Sequence, residues 1–515
     1  MPLARLLIAT SRLRPGMDGG YTIATLQRAR MLADGGFPVT LLTVDLIPDN
    51  AADREGFVQI GLADERTELR NLLQEVRHRP EILRGAPLEP AVEPDLTDPD
   101  PVNAGPVDAD ALRPDPLELD GHGRPWRQLV RDASGAVVHT DFFDEGGQRL
   151  FRLPYLQRPD WWRAAVRILV FDERGAPLGT LDGFRGLYRA WWGEVVREAR
   201  DAEPRLPVVA IAEARQVGEL LAGIPGLPVV HTVHSAHTLA PHAWDSPMDP
   251  VWEGWLDTLP LYDGVVWLTE RQRADVVRRR GREEAPGWVI PHPALVPADA
   301  TAGAEGRDPL RAITIARLAP VKRLDQLVEA WARVVEQRPG ARLDMYGEGP
   351  LRPALQQRID ELGLSGSITL HGHRDGAAEE ARTAAVMVLT SAYEGQSLVI
   401  AEAMARGCPA VAYDIAYGPA EMIVDGVSGR LVPSGDVAAL AAAITEHLGD
   451  PALLAERSGA ALDWARGAGP AQALERWRAL IDAVAAPSTP APSTSASSTP
   501  PPAPRSPSAE PPASV

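Results

Sequence analysis

The sequence predicts an α/β protein built from two Rossmann-like, doubly wound domains, with an antiparallel β-meander inserted into the first. Three observations lead there. ARLLIAT runs into a loop carrying Gly16, Gly19 and Gly20, then into a helical stretch from Thr22 to Gly35 and a second apolar run, PVTLLTV, which together make a β-α-β start with a glycine-rich first loop. Between about Trp126 and Asp182 the pattern changes to short β-prone runs punctuated by Asp-x-x-Gly turns at Asp132/Gly135, Asp144/Gly147 and Asp172/Gly175. Alternation of strands and helices then resumes and continues through the second half of the chain.

Taken in order, the first domain spans residues 1–290. Its opening LLIAT follows one arginine, but the run is too short for the apolar region of a signal peptide and is followed by more arginines, so it reads as the first buried strand. The loop at Gly19 and Gly20 lets backbone N–H groups approach an anion at a helix N-terminus, although its spacing is not GxGxxG. From Pro87 to Asp120 there are ten acidic residues and one arginine among many prolines, a composition that predicts a solvated linker or insertion rather than an acidic active face. The meander at 126–182 reads as an acceptor platform or oligomer interface, with a decorative insertion as the alternative. LPVVAIAEA, a helix from Arg215 to Ala222, LPVVHTVHSAH and DGVVWLTERQRADVV complete the domain. The crossing falls around Trp288 to Pro297. The second domain, 291–470, has strands at RAITIA, ARLDMYG, SITLHG, AAVMVLT and CPAVAYD, and a helix at 471–485 returns to cap the first domain. The tail, 486–515, is almost wholly Pro, Ser, Thr and Ala and is expected to be disordered.

Composition narrows the function classes. At 515 residues two ordinary domains fit. No apolar run approaches the roughly 20 residues that span a bilayer, which predicts a soluble chain. The net charge of −18 argues against general nucleic-acid binding. A single cysteine, Cys408, precludes an internal disulfide and a multi-cysteine metal site, and fits a reducing cytoplasm. Cys408 itself, at a strand start, is expected to be buried.

Lys322 is the only lysine in the chain, whose other basic side chains are all arginine. In a lineage that has drifted to arginine, a retained lysine marks a position where the difference matters. It lies in ITIARLAPVKRLDQL, where a strand ending at Ala316 meets a loop with Arg317 and Lys322 before a helix near Leu324. Arginine grips two phosphate oxygens through a planar fork and lysine delivers a compact point charge, so the pair suits a diphosphate. The alternative is a lysine simply solvated at a helix start. In SAYEGQSLVIAEAMARG a strand ends at Ser391, Glu394 and Gly395 form a loop, and a helix starts near Ser397 with Glu402 in its second turn. That helix start offers free N–H groups to an anion. A glycosidase pair needs carboxyls about 5 to 9.5 Å apart, whereas eight mostly helical residues separate these by up to roughly 12 Å of rise, which disfavours hydrolysis.

From about Val265 to Val484 the chain resembles glycosyltransferase family 4, retaining nucleotide-sugar transferases of the GT-B fold, in which two Rossmann-like domains face a cleft. The resemblance rests on Arg317 and Lys322, YGEGP (Tyr346 to Pro350), LHGH (Leu370 to His373) and Glu394-x7-Glu402 in order. The YGP at Tyr417 to Pro419, the meander and VHSAH are similar, more narrowly, to poly(glycerol-phosphate) alpha-glucosyltransferases of wall teichoic acid. The resemblance implies that Arg317 and Lys322 hold the donor diphosphate, that Glu402 bonds the ribose and that Glu394 lies near the transferred sugar. His234 matches the family's histidine after this strand better than His237 or His231, so it joins Glu394, Arg317 and Lys322 as a candidate catalytic residue. Donor-binding candidates are Gly19, Gly20, Arg317, Lys322, His373, Gln396, Ser397, Leu398 and Glu402, with Tyr346 and His373 placed near the nucleobase or in ordinary packing. No metal or resident cofactor is implied, only a UDP-sugar co-substrate. The implied partners are that donor and a polyol-phosphate or other glycan acceptor, with the inner membrane face and a homo-oligomer through the meander as further expectations. Asp98-x-Asp100 and Asp108-x-Asp110 mimic the metal-binding DxD of the GT-A fold, but they lie among prolines in the acidic stretch rather than at a strand end. Two features depart from the family: the acidic stretch and tail are foreign to it, and the loop reads EGQSL where many relatives have EGFGL. A lipid-linked or small-molecule acceptor, or a non-catalytic GT-B scaffold, are the alternatives.

Overall fold

The computed structural model describes residues 4–16, 19–91, 112–156 and 161–486. The chain opens with β1 (Arg5–Thr10), the helix Gly20–Asp34, β2 (Val39–Thr43) and β3 (Glu68–Asn71). It then leaves this sheet for β4 (Arg113–Pro114), β5 (Glu118–Leu119), β6 (Pro125–Arg131), β7 (Val137–Phe143), β8 (Arg149–Pro154), β9 (Arg167–Phe171) and β10 (Pro177–Asp182). After the helix Gly183–Ala202 it returns with β11 (Val208–Ala212), β12 (Val229–Val233), β13 (Gly264–Trp267) and β14 (Gly287–Val289). The last strands are β15 (Asp308–Ile315), β16 (Arg342–Tyr346), β17 (Ile368–Gly372), β18 (Ala384–Leu389), β19 (Ala410–Asp414) and β20 (Gly429–Pro433).

Three sheets result. The first is parallel, in the order β14-β13-β12-β11-β1-β2-β3, and the third is parallel, in the order β17-β16-β15-β18-β19-β20. In each, the chain runs outward from one central strand, returns, and builds in the other direction. β1 and β15 therefore sit where the strand order reverses, and a crevice opens there at the carboxyl edge, the usual ligand position in such sheets. The glycine loop follows β1 and the Arg317–Lys322 loop follows β15. Apart from the buried threonines Thr10 and Thr314, both central strands are apolar where buried, as a sheet covered on two faces requires.

The second sheet is antiparallel, β10-β9-β8-β7-β6-β4 with β5 also on β6. Its Asp-x-x-Gly turns close as the sequence predicts, with Gly135, Gly147 and Gly175 N–H donating to the carbonyls of Asp132, Asp144 and Asp172. One face packs Phe142, Phe151, Ile168 and Val170 into the same core as Leu187, Trp191 and Val195 of the helix Gly183–Ala202. That helix carries its apolar residues at helical spacing and bridges the meander to the first sheet.

The described parts of the acidic stretch pack on the meander rather than forming a linker. A fourth turn of the same type, Asp120 to Gly123, precedes β6, and Asp115, Glu118 and Glu89 pair with Arg131, Arg127 and Arg167 of the sheet. The sheet therefore begins before Trp126; Asp115, Glu118 and Glu89 make surface ion pairs with it, and Asp120 is buried. Asp98, Asp100, Asp108 and Asp110 lie outside the described residues, as does the tail beyond residue 486. The short strands β3, β14 and β20 escape a periodicity reading because ELRN, GWV and GRLVP are too brief or too polar to register. At the chain's other end Trp477, Leu480 and Ile481 of the helix Pro470–Ala485 pack among Ile8, Leu26, Val209 and Val266 of the first sheet's core. Among the described residues no single helix is long and apolar enough to cross a membrane.

Arg77 ties the meander to the first sheet. Its side chain and that of Asp120 are each 1% exposed, and it donates to Asp120 Oδ2 at 3.1 Å, Pro125 O at 2.8 Å and Phe143 O at 2.9 Å. Burial alone would raise the Asp120 carboxyl, but N–H groups of Arg124 and His122 and the Arg77 guanidinium bring it down to about 2. Arg77→Met should cost about 3–5 kcal/mol, the usual loss when one partner of a buried pair is removed. Because the folded-state value lies below the carboxyl's ordinary value of 3.8, this contribution is complete above that range and is lost as pH falls toward about 2. Urea unfolding of both proteins at neutral and acid pH checks it: the gap should be wide at neutral pH and narrow on acidification.

Candidate active site

The site begins where β15 and β18 end. After β15 the chain passes Arg317 and makes a tight turn, Pro320–Lys322; after β18 it passes Thr390 and Ser391 to Glu394. Two hydrogen bonds sew these loops together: Ala392 N–H donates to Val321 O at 2.7 Å and Thr390 Oγ1 to Lys322 O at 2.7 Å. Their side chains then meet. Lys322 Nζ lies 2.6 Å from Glu394 Oε1, which also accepts from Ser391 Oγ at 2.7 Å. Lys322 is thus not simply solvated; it is an oriented, half-buried cation paired with the other singled-out charge. Arg317 is exposed and has no carboxylate partner among the described residues. Its loop is supported by the YGEGP loop, whose Gly347, at φ +133°, passes so close to the Ala316 carbonyl that a Cβ would lie 2.0 Å from it.

The Glu394 loop is held from below by the YGP turn. Glu394 N–H donates to Ala416 O at 3.1 Å and Tyr417 N–H to Glu394 O at 3.0 Å. Gln396, Ser397 and Leu398 lead into the helix Leu398–Met404. Ser397 is 2% exposed and its Oγ has no hydrogen-bond partner among the described residues, so a donor is left for a ligand. Glu402, half-buried on that helix, has its carboxyl raised by desolvation, with Arg406 opposing.

The carboxyl edge of the first sheet supplies the other wall. His234 follows β12, and Gly395 touches its backbone: a Cβ on Gly395 would sit 2.0 Å from the His234 carbonyl oxygen. Gly20 lies beside Leu398, whose Cδ1 would be 3.1 Å from a Cβ there. The structure therefore brings Gly20, His234, Glu394, Gln396, Ser397 and Leu398 together, with Lys322 bound to Glu394. His373 stands apart from this group: exposed, its Nε2 is 3.2 Å from Asp375, and it is His371, not His373, that stacks on Tyr346 at 4.6 Å. Gln396 is a brace. Its Oε1 accepts from His292 N–H at 2.7 Å and its Nε2 donates to His292 O at 3.5 Å.

Several residues in this region were not singled out by the sequence reading. Glu213, after β11, has a fully buried side chain, lies 2.6 Å from His234 Nε2 through Oε2, and pairs through Oε1 with Arg28 of the helix Gly20–Asp34. His292 stacks on His234 at 5.6 Å and Tyr21 meets its edge at 5.1 Å. The available signal was a lone carboxylate directly after the wholly apolar VVAIA, at the carboxyl edge of a parallel strand. Further bonds cross between the two parallel sheets' loops: Tyr417 OH donates to Asp275 at 3.0 Å, and Glu421 accepts from the Glu270 and Arg271 N–H groups at 2.9 Å each. Among the described residues no cluster of three or more His, Cys, Asp or Glu side chains could hold a metal ion.

Two Rossmann-like sheets whose carboxyl edges meet at such a crevice define the GT-B class of fold. Residues 309–450 match the family Glycosyl transferases group 1. Over 200 residues, 38% of the chain, the sequence is 40% identical to an exopolysaccharide phosphotransferase of Streptomyces coelicolor, covering 20% of that protein. Over 188 residues, 36% of the chain, it is 31% identical to the poly(glycerol-phosphate) alpha-glucosyltransferase of Bacillus subtilis, covering 28% of it. The matches thus span between a fifth and a third of these relatives' own lengths. Among solved structures, TarM superposes with a TM-score of 0.73 at 18% identity, over 94% of this chain and 99% of TarM. The pneumococcal O-GlcNAc transferase GtfA, solved with UDP and GlcNAc, superposes at 0.62 and 19% identity over 93% of this chain and 99% of its own.

The contact at Gly395 constrains the site because backbone meets backbone, with no flexible side chain to give way. Gly395→Ala should cost about 1–3 kcal/mol, as overpacking does, and should also weaken binding of UDP, used as a probe of the crevice. Thermal melts and calorimetric titration check this; unchanged melting and affinity would show that the two loops part freely.

Proposed function

We propose that this chain is a retaining glycosyltransferase that moves a hexose, glucose or N-acetylglucosamine, from a UDP-sugar to a hydroxyl of a polyol-phosphate polymer such as a teichoic acid. The observation that carries this reading is the Lys322–Glu394 pair at the β15 switch point, one residue from the contact with His234. Arg317 is free to fork the diphosphate. Lys322 supplies the compact charge beside it, with Glu394 close to the sugar. Ser397 Oγ and the Gly19/Gly20 backbone add donors to the leaving phosphate. As the bond from the sugar's anomeric carbon to the phosphate oxygen breaks, charge grows on UDP, and preorganised donors stabilise that charge where water is excluded. The acceptor hydroxyl attacks from the face UDP leaves, and a phosphate oxygen takes its proton. Desolvated Glu402 gains most from two ribose hydroxyls, which favour its ionised form. The relative from B. subtilis, a poly(glycerol-phosphate) alpha-glucosyltransferase, supports a polyol-phosphate acceptor. A non-catalytic scaffold is disfavoured because Arg317, Lys322, Glu394 and Glu402 are all retained in the sequence.

Incubation with UDP-glucose or UDP-N-acetylglucosamine, with and without poly(glycerol phosphate), tests the reading. UDP and a glycosylated polymer should form, with chelator present or absent. Release of UMP instead would indicate transfer of a sugar phosphate, the alternative raised by the phosphotransferase relative, and would overturn it. Lys322→Arg should lower kcat/KM at least about tenfold, roughly 1.4 kcal/mol, because the guanidinium cannot occupy the ammonium's place between Glu394 and a phosphate forked by Arg317. Near-wild-type turnover would make the lone lysine a compositional accident. Glu402→Gln should chiefly raise the donor KM and Glu394→Gln chiefly lower kcat; steady-state kinetics on both variants show whether the two effects separate.

A further inference from the structure

We infer that Arg28 and Glu213 are positioning residues that fix His234 as the Nε2–H tautomer, so that its Nδ1 is presented to the crevice as a hydrogen-bond acceptor for a sugar hydroxyl. This rests on the proposed function for the identity of the hydroxyl, not for the geometry. Glu213 has no side-chain exposure, and Arg28 and His234 have 3% and 13%. A buried carboxylate beside a buried guanidinium stays ionised, and an ionised carboxylate only accepts. The short contact from Glu213 Oε2 to His234 Nε2, 2.6 Å, therefore places the hydrogen on Nε2. The other nitrogen keeps its lone pair. Nδ1 makes no hydrogen bond among the described residues, while the ring is pinned by His292 on one face and by the edge contact with Tyr21.

The surrounding groups agree. Burial would raise the Glu213 carboxyl, but Arg28 and the His234 hydrogen bond hold it down to about 2. Burial lowers His234, with Arg28 in the same direction and Glu213 opposing. The other titratable neighbours are His292 after β14, whose Nδ1 lies 3.4 Å from Arg28 Nη2, His231 on β12 and Tyr21 on the first helix. Both histidines are driven toward neutrality by burial and by Arg28 or His234. Nothing on this list competes with Glu213 for Nε2.

Long-range 1H–15N spectra of the full chain labelled with 15N-histidine, with His234→Gln identifying the resonance, read the tautomer directly. A protonated Nε2 and unprotonated Nδ1 at neutral pH are expected; the reverse tautomer, or an imidazolium, overturns the inference without any need for activity. Glu213→Gln is near-isosteric and can donate to Nε2. It should reverse the tautomer and lower kcat for UDP-sugar turnover by about tenfold or more with donor KM changed less than about twofold, and Glu213→Asp should restore part of it. The acid limb of kcat should move to lower pH in Glu213→Gln, where a stabilising anion is lost, and to higher pH in Arg28→Gln, where an opposing cation is lost. Limbs that move together, or stay, overturn the positioning role; if either variant fails to fold, the wild-type spectrum decides. A chain with the expected tautomer but no transfer from either UDP-sugar would refute the proposed function and leave the tautomer assignment standing.

Discussion

Everything at the site depends on two backbones touching. Gly395, in a loop of the third sheet, lies against the carbonyl of His234, in a loop of the first, with no room for a Cβ between them. A loop from each sheet can meet so closely only if both are held from behind. On one side the Glu394 loop is fastened to the YGP turn and to the Lys322 loop; on the other, His234 is fixed by Glu213, His292 and Tyr21. The crevice is thus built by mutual support rather than by either sheet alone, and that is the kind of preorganisation that fixed donors need in order to act on a developing charge.

Charge is arranged by the same logic. The chain is arginine-rich, and most described arginines at structural positions are occupied: Arg28 by Glu213, Arg77 by Asp120, Arg311 by Asp344 and Glu380. Arg317 differs in being exposed without a carboxylate, and Lys322 in carrying an ammonium where every other basic side chain is a guanidinium. A planar fork in the place of Lys322 would need a second acceptor geometry; the single oxygen of Glu394 at 2.6 Å suits a point charge. The retained lysine and its partner are one feature, not two.

This also marks what could be read from the chain alone. Lys322, Glu394, the meander turns and the parallel strands were legible because each is a local signal: a rare residue, a spaced motif, a repeated turn, an apolar run. Arg28 and Glu213 were not, because QRARML reads as an ordinary helix and their partnership joins residues 185 apart. Asp120 was misread for the converse reason. Its local context is a run of acids and prolines, and only the fold brings Arg77 onto it. Pairing between elements far apart in the chain is decided by packing, and packing leaves no periodic trace.

Gln396 shows how the two kinds of information combine. As a departure from EGFGL, it invites a reading in terms of donor-sugar preference, since it stands beside Ser397 and two residues from Glu394. Its amide is instead matched, acceptor to N–H and donor to carbonyl, with the backbone of His292. His292 follows the last strand of the first sheet and stacks on His234, so Gln396 fastens the chain crossing between the sheets to the loop that carries Glu394. An apolar residue here could fill the space but could not satisfy His292's buried N–H, whose loss of a partner carries a desolvation cost of about 1–3 kcal/mol. The position therefore sets how the two edges meet, and any effect it has on the sugar is exerted through that geometry.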